Sequence, residues 1–148
     1  MKIIFKTDPQ MEKNTALIFT HPNENAVKNK IEALLEKNQK KITAINGLNS
    51  RNIQISMDSI LAIESEERMC NLRLKTGEMY LYKKRLKVAE ADFSEDGFIR
   101  INNQTMVNIR EVKEFVNTTN ARIEVTLSDG SRYFISRYYM NDFRRALL

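Results

Sequence analysis

The sequence predicts a mostly β fold made of short antiparallel strands, preceded by a small α+β segment at the N-terminus. From Asn52 onward, apolar and polar residues alternate with the period of two that marks half-buried strands. These segments are rich in Ile, Val, Phe, Tyr and Thr, and they follow one another at short spacing. Because no long helices separate them, a parallel α/β sheet is disfavoured and antiparallel pairing is expected.

Residues 1–48 have the pattern strand, strand, helix and a further strand. KIIFK and ALIFT are β-prone runs, and KKITAING predicts the strand after the helix. The apolar positions of HPNENAVKNKIEALLEK fall on one helical face, namely Val27, Ile31, Leu34 and Leu35. We expect KIIFK and ALIFT to cover this face, although dimerisation or contact with a partner protein through residues 1–48 is the alternative.

Residues 49–148 are expected to form one compact β domain. The predicted strands are NIQISM, ILAIES, two within CNLRLKTGEMYLYK, FIRI, MVNI, EFVNT, RIEVTL and RYFIS. Gly77, Gly97 and Gly130 lie between such segments, where a tight turn uses the positive φ that glycine adopts without strain. Helical pieces are brief: Leu86–Phe93 is helix-capable, and YYMNDFRRALL closes the chain.

Composition bounds the class of protein. The net charge of +5 permits a nucleic-acid partner without requiring one, and all of the arginines lie at or after Arg51. No apolar run approaches the ~20 residues of a transmembrane helix. The single Cys70 cannot form an internal disulfide, so a reducing cytoplasm is the expected location.

The residues that catalysis or metal binding would need are scarce. His21 is the only histidine, and its Thr-His-Pro context is typical of a solvated loop. One Cys and one His do not supply a metal site, and the glycines are too widely spaced for a phosphate-binding loop. We therefore predict no enzymatic activity, no cofactor, no metal and no small-molecule substrate.

One polar run interrupts the strand pattern. In FIRINNQTMVN, the residues Asn102–Thr105 separate two apolar segments. Asparagine tolerates left-handed backbone geometry and bonds its own backbone, so a surface turn explains the run. A loop that reads base edges explains it as well, because Asn and Gln bind adenine and Arg binds guanine in bidentate geometry.

Several pieces in order resemble the LytTR DNA-binding domain of bacterial response regulators. They are ISMDSILAIESEERMCNLRLKTGE, with an apolar-plus-Glu signature at Ile60–Glu64, then FIRINNQTMVNIREVKEF, and finally RIEVTLSDGSRYFISRYYMNDFRRAL. The similarity covers roughly residues 50–148. It implies an elongated domain of short antiparallel sheets whose loops, rather than a helix, enter the major groove of direct repeats in promoters.

The resemblance also implies which residues contact DNA. Base reading falls to Asn103, Arg137, Asn71 and Arg68, and backbone contacts fall to Arg100, Gln104, Lys84, Arg85 and Tyr138. The loop after Ile60–Glu64 holds Arg68, Met69, Cys70 and Asn71, and Cys70 stands where some members have His. Simpler roles stay open: Arg137 paired with Asp142, Arg68 as part of a charged rim, and one of Tyr138 and Tyr139 in the core.

What precedes residue 50 is too short for a phosphoacceptor receiver domain. The chain therefore resembles the stand-alone LytTR regulators, in which a membrane protein often restrains the regulator. This implies a DNA-binding transcription regulator, a homodimer on promoter DNA, and an inhibitory membrane-protein partner as a further possibility. The alternative is a protein-interaction module without specific DNA binding, which the departure at Cys70 slightly favours.

Overall fold

The computed structural model describes residues 2–13, 15–37 and 40–147. The chain divides into two compact units, Met1–Leu35 and Glu36–Leu148. The first helix, α1, spans Asn25–Lys37, as the apolar periodicity predicted. Of its apolar residues, Val27 and Ile31 are half-buried, whereas Leu34 and Leu35 are 64% and 55% exposed.

The prediction that KIIFK and ALIFT form strands is wrong. Within the described part of the chain, residues 2–6 and 16–20 adopt no regular secondary structure. Their large side chains are exposed, with Phe5 at 92% and Phe19 at 91%. A β-prone run becomes a strand only when a neighbouring strand pairs with its backbone, and β propensity alone does not supply that neighbour.

The strands form two antiparallel sheets, which confirms the predicted mostly β fold. The larger sheet has the order β2-β1-β5-β4-β3-β7-β6, and the smaller has the order β10-β9-β8. The larger sheet contains β1 Lys41–Ile45, β2 Asn52–Ser56, β3 Ile60–Glu66, β4 Met69–Leu74, β5 Met79–Tyr82, β6 Phe98–Asn102 and β7 Thr105–Asn108. The smaller contains β8 Val112–Asn117, β9 Ile123–Leu127 and β10 Arg132–Ile135, and the helices are α2 Leu86–Phe93 and α3 Met140–Leu147.

Strand β3 is buried on both faces, which explains its continuous apolar run. Ile60 and Ile63 pack with α2 in one core. Leu61 and Ala62 pack with the smaller sheet and α3 in a second core. A register shift between Ile60 and Ala62 permits the adjacent residues Leu61 and Ala62 to enter the same core. With one core on each face, the larger sheet is covered on both sides.

Aromatic side chains anchor each core. In the first core, the ring of Phe93 meets Tyr82 and Phe98 edge to face, at centroid distances of 5.4 and 5.2 Å. In the second, Phe143 of α3 meets Phe115 of β8 at 5.5 Å. Edge-to-face contacts of this kind add to the free energy of area burial, so both helices are held firmly on the sheets.

In the larger sheet, the strand registers bring three connections to one end. Glu64 pairs with both Thr105 and Asn71, so the β3–β4 hairpin and the β6–β7 turn lie side by side. Cys70 pairs with Tyr82, so the chain leaves β5 at the same end.

In the smaller sheet, Ile123 pairs with both Asn117 and Ile135, which aligns the β8–β9 turn with the end of β10. The amide of Ser136 then donates to the carbonyl oxygen of Ile101 at 2.9 Å and joins the two sheets there. We call these five connections the loop end, comprising residues 67–68, 83–85, 103–104, 118–122 and 136–139. We call the turns at the other ends of the strands, residues 57–59, 75–78, 109–111 and 128–131, the far end.

Candidate nucleic-acid interface

The β6–β7 turn contains the polar run that interrupts the strand pattern. The Oδ1 atom of Asn102 accepts a hydrogen bond from the amide of Gln104 at 2.8 Å, which closes an Asx turn. The carbonyl oxygen of Gln104 in turn accepts from the amide of Ser65 at 2.7 Å. Asn102 therefore turns the chain, whereas Asn103 and Gln104 at the tip have exposed side chains.

Arg100 holds this turn from below. Its Nε donates to the carbonyl oxygen of Asn102 (3.2 Å), its Nη2 to that of Asn103 (2.9 Å) and its Nη1 to Oε2 of Glu90 (3.0 Å). The guanidinium also lies 5.7 Å from the ring centroid of Tyr139. All three guanidinium nitrogens thus bind within the protein, and a phosphate contact by Arg100 stays a prediction.

The connection between β10 and α3 is a single turn of 3-10 helix, Arg137–Tyr139. Ser136 immediately before it binds the carbonyl oxygen of Ile101 through both its amide and its hydroxyl, so the turn is attached to β6. The side chain of Arg137 is exposed. Asp142, its alternative partner, lies 3.5 Å from Arg145 instead.

The two tyrosines of this turn differ in environment. Tyr138 is 83% exposed, whereas Tyr139 packs against the second core. The Tyr139 hydroxyl donates to Oδ1 of Asn103 at 3.3 Å, and the two rings meet edge to face at 4.9 Å. One tyrosine is therefore available to a ligand while the other links the β6–β7 turn to the β10–α3 connection.

The loop expected after Ile60–Glu64 is shorter than the resemblance suggested. The hairpin turn consists of Glu67, with φ +53°, and Arg68, which is exposed. Asn71 lies within β4, and its Nδ2 donates to Oε2 of Glu66 across the hairpin. Arg68 thus projects from the loop end, whereas the Asn71 side chain is half-buried against its neighbour strand.

Cys70 does not belong to a loop at all, and placing it there was wrong. It alternates with Leu72 and Leu74 on the face of β4 that packs beneath α2, and its exposed fraction is 0%. Burial raises the pKa of the Cys70 thiol to about 11, so the thiol stays protonated at neutral pH. Cys70 therefore contributes to packing at this position and offers no side chain to a ligand.

The connection between β5 and α2 carries a run of basic residues. Lys84 donates to Oδ2 of Asp92 at 2.7 Å, which raises the pKa of the lysine and lowers that of the carboxyl group. Arg85 precedes the first residue of α2 and is exposed, as is Lys83. Two of these cations are thus directed to solvent, and the third is partly neutralised.

An open depression of about 770 Å³ lies among three of the five connections. Its lining comprises Asn102 and Asn103 of the β6–β7 turn, Asn120 and Arg122 of the β8–β9 turn, and Phe134 with Ser136, Arg137, Tyr138 and Tyr139 around the end of β10. The predicted residues Asn103, Arg137 and Tyr138 are therefore brought together. The β8–β9 turn was missed, although its NTTNAR sequence carries the same Asn and Arg signal as the other loops.

Three exposed arginines at the loop end differ from the salt-bridged arginines of the domain in having no carboxylate partner among the described residues. Among the residues that the structure describes, no carboxylate oxygen lies within 4.0 Å of Arg68, Arg122 or Arg137, and all three side chains are exposed. Guanidinium groups bind phosphate and guanine with two parallel hydrogen bonds. These three guanidinium groups are therefore suited to binding a polyanion.

Other kinds of site find little support. In the ranges 2–13, 15–37 and 40–147, no three His, Cys, Asp or Glu side chains come together as a metal site would require. His21 accepts a hydrogen bond at Nδ1 from the amide of Asn23, within its own turn. None of the helices in the described part of the chain combines the length and the apolarity of a membrane span.

An antiparallel β domain that gathers polar and cationic loops at one end has the features expected of a β-type nucleic-acid-binding domain. A model of the LytTr DNA-binding domain family matches residues 50–148, and the chain therefore belongs to the LytTR family. A solved structure, the LytTr DNA-binding domain of a Bacillus cereus protein described as a methyl-accepting/DNA response regulator, has a TM-score of 0.64. The identity is 20%, and the match covers 72% of this chain and 95% of the other. Curated proteins include no match to this sequence.

Proposed function

We propose that this chain is a sequence-specific transcription regulator that reads the major groove of direct repeats in promoter DNA. The observation that carries the proposal is the joint placement of Asn103 and Arg137 in one depression. Asn103 is the reader of adenine and Arg137 is the reader of guanine, each through a bidentate contact. Arg68 of the neighbouring β3–β4 turn contributes a second reading element, together with Asn71 of β4 once its side chain exchanges its bond with Glu66.

Backbone contacts flank these readers. Arg85 and Gln104 are exposed at the loop end, and Tyr138 presents an exposed ring. Lys84 reaches phosphate by exchanging its bond with Asp92, and Arg100 supports the turn that carries Asn103. Because phosphate contacts fix the register while base contacts specify the sequence, both sets are needed for a promoter-specific regulator.

The test is fluorescence anisotropy of the full chain with its own upstream promoter DNA and with a shuffled duplex, across a salt series. We expect tight binding to the promoter alone, with log affinity falling linearly with log salt because counterions are released. Arg137→Ala should weaken discrimination at one base pair by about 1–3 kcal/mol. Equal binding of both duplexes by the parent chain would refute the proposed function.

A matched control lies on β10, the strand that precedes Arg137. Arg132 begins β10 at the end away from the depression, and its side chain is 71% exposed. Arg132→Ala removes the same charge, so it should leave base discrimination unchanged. If both variants lose discrimination equally, net charge rather than a base contact is responsible and Arg137 is not a reader.

The proposal includes two copies of this chain bound to adjacent DNA repeats. The N-terminal unit favours a contact between proteins, because it exposes many apolar side chains. Its exposed apolar side chains are Ile3, Ile4, Phe5, Leu17, Ile18, Phe19, Leu34 and Leu35. Apolar surface of this density is typical of an interaction site. Sedimentation velocity of the full chain with and without promoter DNA distinguishes a preformed dimer from one assembled on the repeats.

The second candidate function is a protein-interaction module without specific DNA binding, and the same apolar side chains favour it. Its partner would be a regulatory protein, including an inhibitory membrane protein. Loss of association in a Phe5→Ser/Phe19→Ser double variant, together with an absence of promoter binding in the parent chain, would favour this candidate over the first.

A further inference from the structure

The β8–β9 turn lies at the rim of the depression and has no role in the function proposed above. Ile123 pairs with Ile135, so the antiparallel register places Arg122 opposite Ser136 and beside Arg137. In the smaller sheet β10 contacts β6 through Ser136 and Ile101, and β8 lies at the other edge. Across the loop end the order is therefore β6–β7 turn, β10–α3 connection, β8–β9 turn.

The backbone of Arg122 is held in place while its side chain is exposed. The amide and the hydroxyl of Thr118 donate to the carbonyl oxygen of Arg122 at 2.8 and 3.1 Å. Ala121 adopts φ +53°, which completes the reversal of the chain. A guanidinium group that projects from a closed turn loses little backbone freedom on binding, so the position is suited to a fixed ligand.

The side chains around Arg122 match one unit of a nucleic-acid backbone. Asn120 lines the same depression as Arg122 and adds an amide, and in the described residues no carboxylate oxygen lies within 4.0 Å of Arg122 or Arg137. Phe134 and Tyr138, which are 49% and 83% exposed, supply apolar ring surface between them. A phosphate accepts the guanidinium and amide donors, and the adjoining deoxyribose packs on a ring.

We infer that Arg122 and Asn120 form a phosphate-binding site that clamps one backbone of duplex DNA beside the groove read by Arg137. A groove is bordered by the two sugar–phosphate backbones, so a cation at the rim of a groove reader meets phosphate rather than a base edge. The inference rests on the proposed function for its ligand, duplex DNA. It adds the β8–β9 turn to the four loop-end connections that carry residues named from the resemblance.

The experiment compares the parent chain, Arg122→Gln and Arg122→Lys on promoter and shuffled duplexes between 50 and 200 mM salt. Loss of one phosphate contact should reduce the magnitude of the log–log salt slope by about 0.9 on both duplexes. The affinity ratio between parent and Arg122→Gln should accordingly shrink about 3.5-fold over this fourfold salt range. Arg122→Lys keeps the charge and should keep the slope.

Arg132→Gln is the matched control, because it removes one exposed arginine from the same sheet outside the depression. It should leave the slope unchanged, and thermal unfolding checks that every variant is folded. A slope for Arg122→Gln equal to that of the parent would overturn the inference. So would a changed base preference, since that would mean that Arg122 reads a base.

Failure of the inference and failure of the proposed function are separable. If the parent chain does not distinguish promoter from shuffled DNA, promoter reading fails. The smaller slope of Arg122→Gln on shuffled DNA still supports the phosphate site, since phosphate contacts do not depend on sequence. An absence of binding to either duplex overturns both.

Discussion

The two ends of the β domain carry the same kinds of charged residue but use them differently. At the far end, arginine and lysine side chains are paired with carboxylates: Arg110 with Asp58 at 3.0 Å, Lys75 with Glu111 at 2.7 Å, and Arg73 with Asp129 at 2.9 Å. At the loop end, Arg68, Arg122 and Arg137 are exposed, without a carboxylate within 4.0 Å among the described residues.

This difference separates charges that serve the fold from charges that remain available to a ligand. The half-buried cluster of Arg73, Glu64 and Tyr133 shows the first use, because Tyr133 donates to Glu64 at 2.5 Å and accepts from Arg73 at 2.8 Å. Burial raises the pKa of Tyr133, so the phenol stays protonated and keeps this link between the sheets. A cation bound in this way can contact a phosphate only by giving up its partner within the protein.

The largest predicted effect is a loss of stability on replacing Asn108, which lies at the far end of β7. Its side chain is 2% exposed, donates to the carbonyl oxygen of Ile60 at 3.1 Å and accepts from the amide of Arg110 at 3.1 Å. Asn108→Ala leaves both groups unpaired and should lower the free energy of unfolding by about 2–3 kcal/mol. Urea unfolding measures the change.

DNA binding by the folded Asn108→Ala variant should be retained at low temperature, because the loop end is untouched. Asn117→Ala, which removes an exposed asparagine from β8, is the control and should be nearly neutral. If Asn108→Ala lowers the free energy of DNA binding by more than it lowers the free energy of unfolding, then the far end also takes part in binding. The assignment of stability to one end and binding to the other would then be wrong.

A smaller effect is expected from replacing Arg100, a half-buried cation beneath the β6–β7 turn. This variant tests whether Arg100 positions the turn or contacts DNA directly. Arg100→Gln removes the bonds to the carbonyl oxygens of Asn102 and Asn103, so the turn loosens. Base discrimination should fall by about 1–2 kcal/mol, within the range of one bidentate contact. The salt slope should stay that of the parent.

The salt slope decides between the two roles of Arg100. A slope reduced by about 0.9 would mean that Arg100 contacts phosphate directly, as the resemblance implied. Arg145→Gln, which removes a side chain that is 79% exposed on α3, controls for net charge. It should alter neither the slope nor the discrimination.

The smallest predicted effect is on the stability of the fold at acidic pH. Burial alone would raise the pKa of Glu111, but hydrogen bonds from Lys75 and Ser128 hold it below its usual value. Partial desolvation likewise opposes ionisation of Asp129, but hydrogen bonds from Ser131 and the nearby Arg73 lower its pKa. A lowered folded-state pKa stabilises the fold above the unfolded value, and this stabilisation is lost as pH falls through the folded value.

The melting temperature should therefore decline below about pH 4, where unfolded-state carboxylates titrate. Glu111→Gln should make this decline shallower while costing about 1 kcal/mol or less at neutral pH. An unchanged acid profile in Glu111→Gln would show that the pair of Lys75 and Glu111 contributes nothing to stability.

Much of the fold was predictable from local pattern. Each predicted strand after residue 50 is present, because alternation reports directly which side chains face a core. The same alternation in Cys70, Leu72 and Leu74 could have placed the cysteine in the core. The strand predictions for KIIFK and ALIFT were wrong because their composition favours a strand, whereas among the described residues no strand pairs with either segment.

The sequence by itself determined the β class, the helices at 25–37, 86–93 and 140–147, and the polar character of the loops, since these depend on neighbours in the chain. Only the tertiary structure decided which polar residues meet. Asn103, Arg122 and Arg137 are far apart in sequence and share one depression because the pairing of Ile123 with Ile135 and the bond from Ser136 to Ile101 align their turns. The local pattern and the turns constrain the register within each hairpin. Which distant strands become neighbours is decided by the packing of both cores.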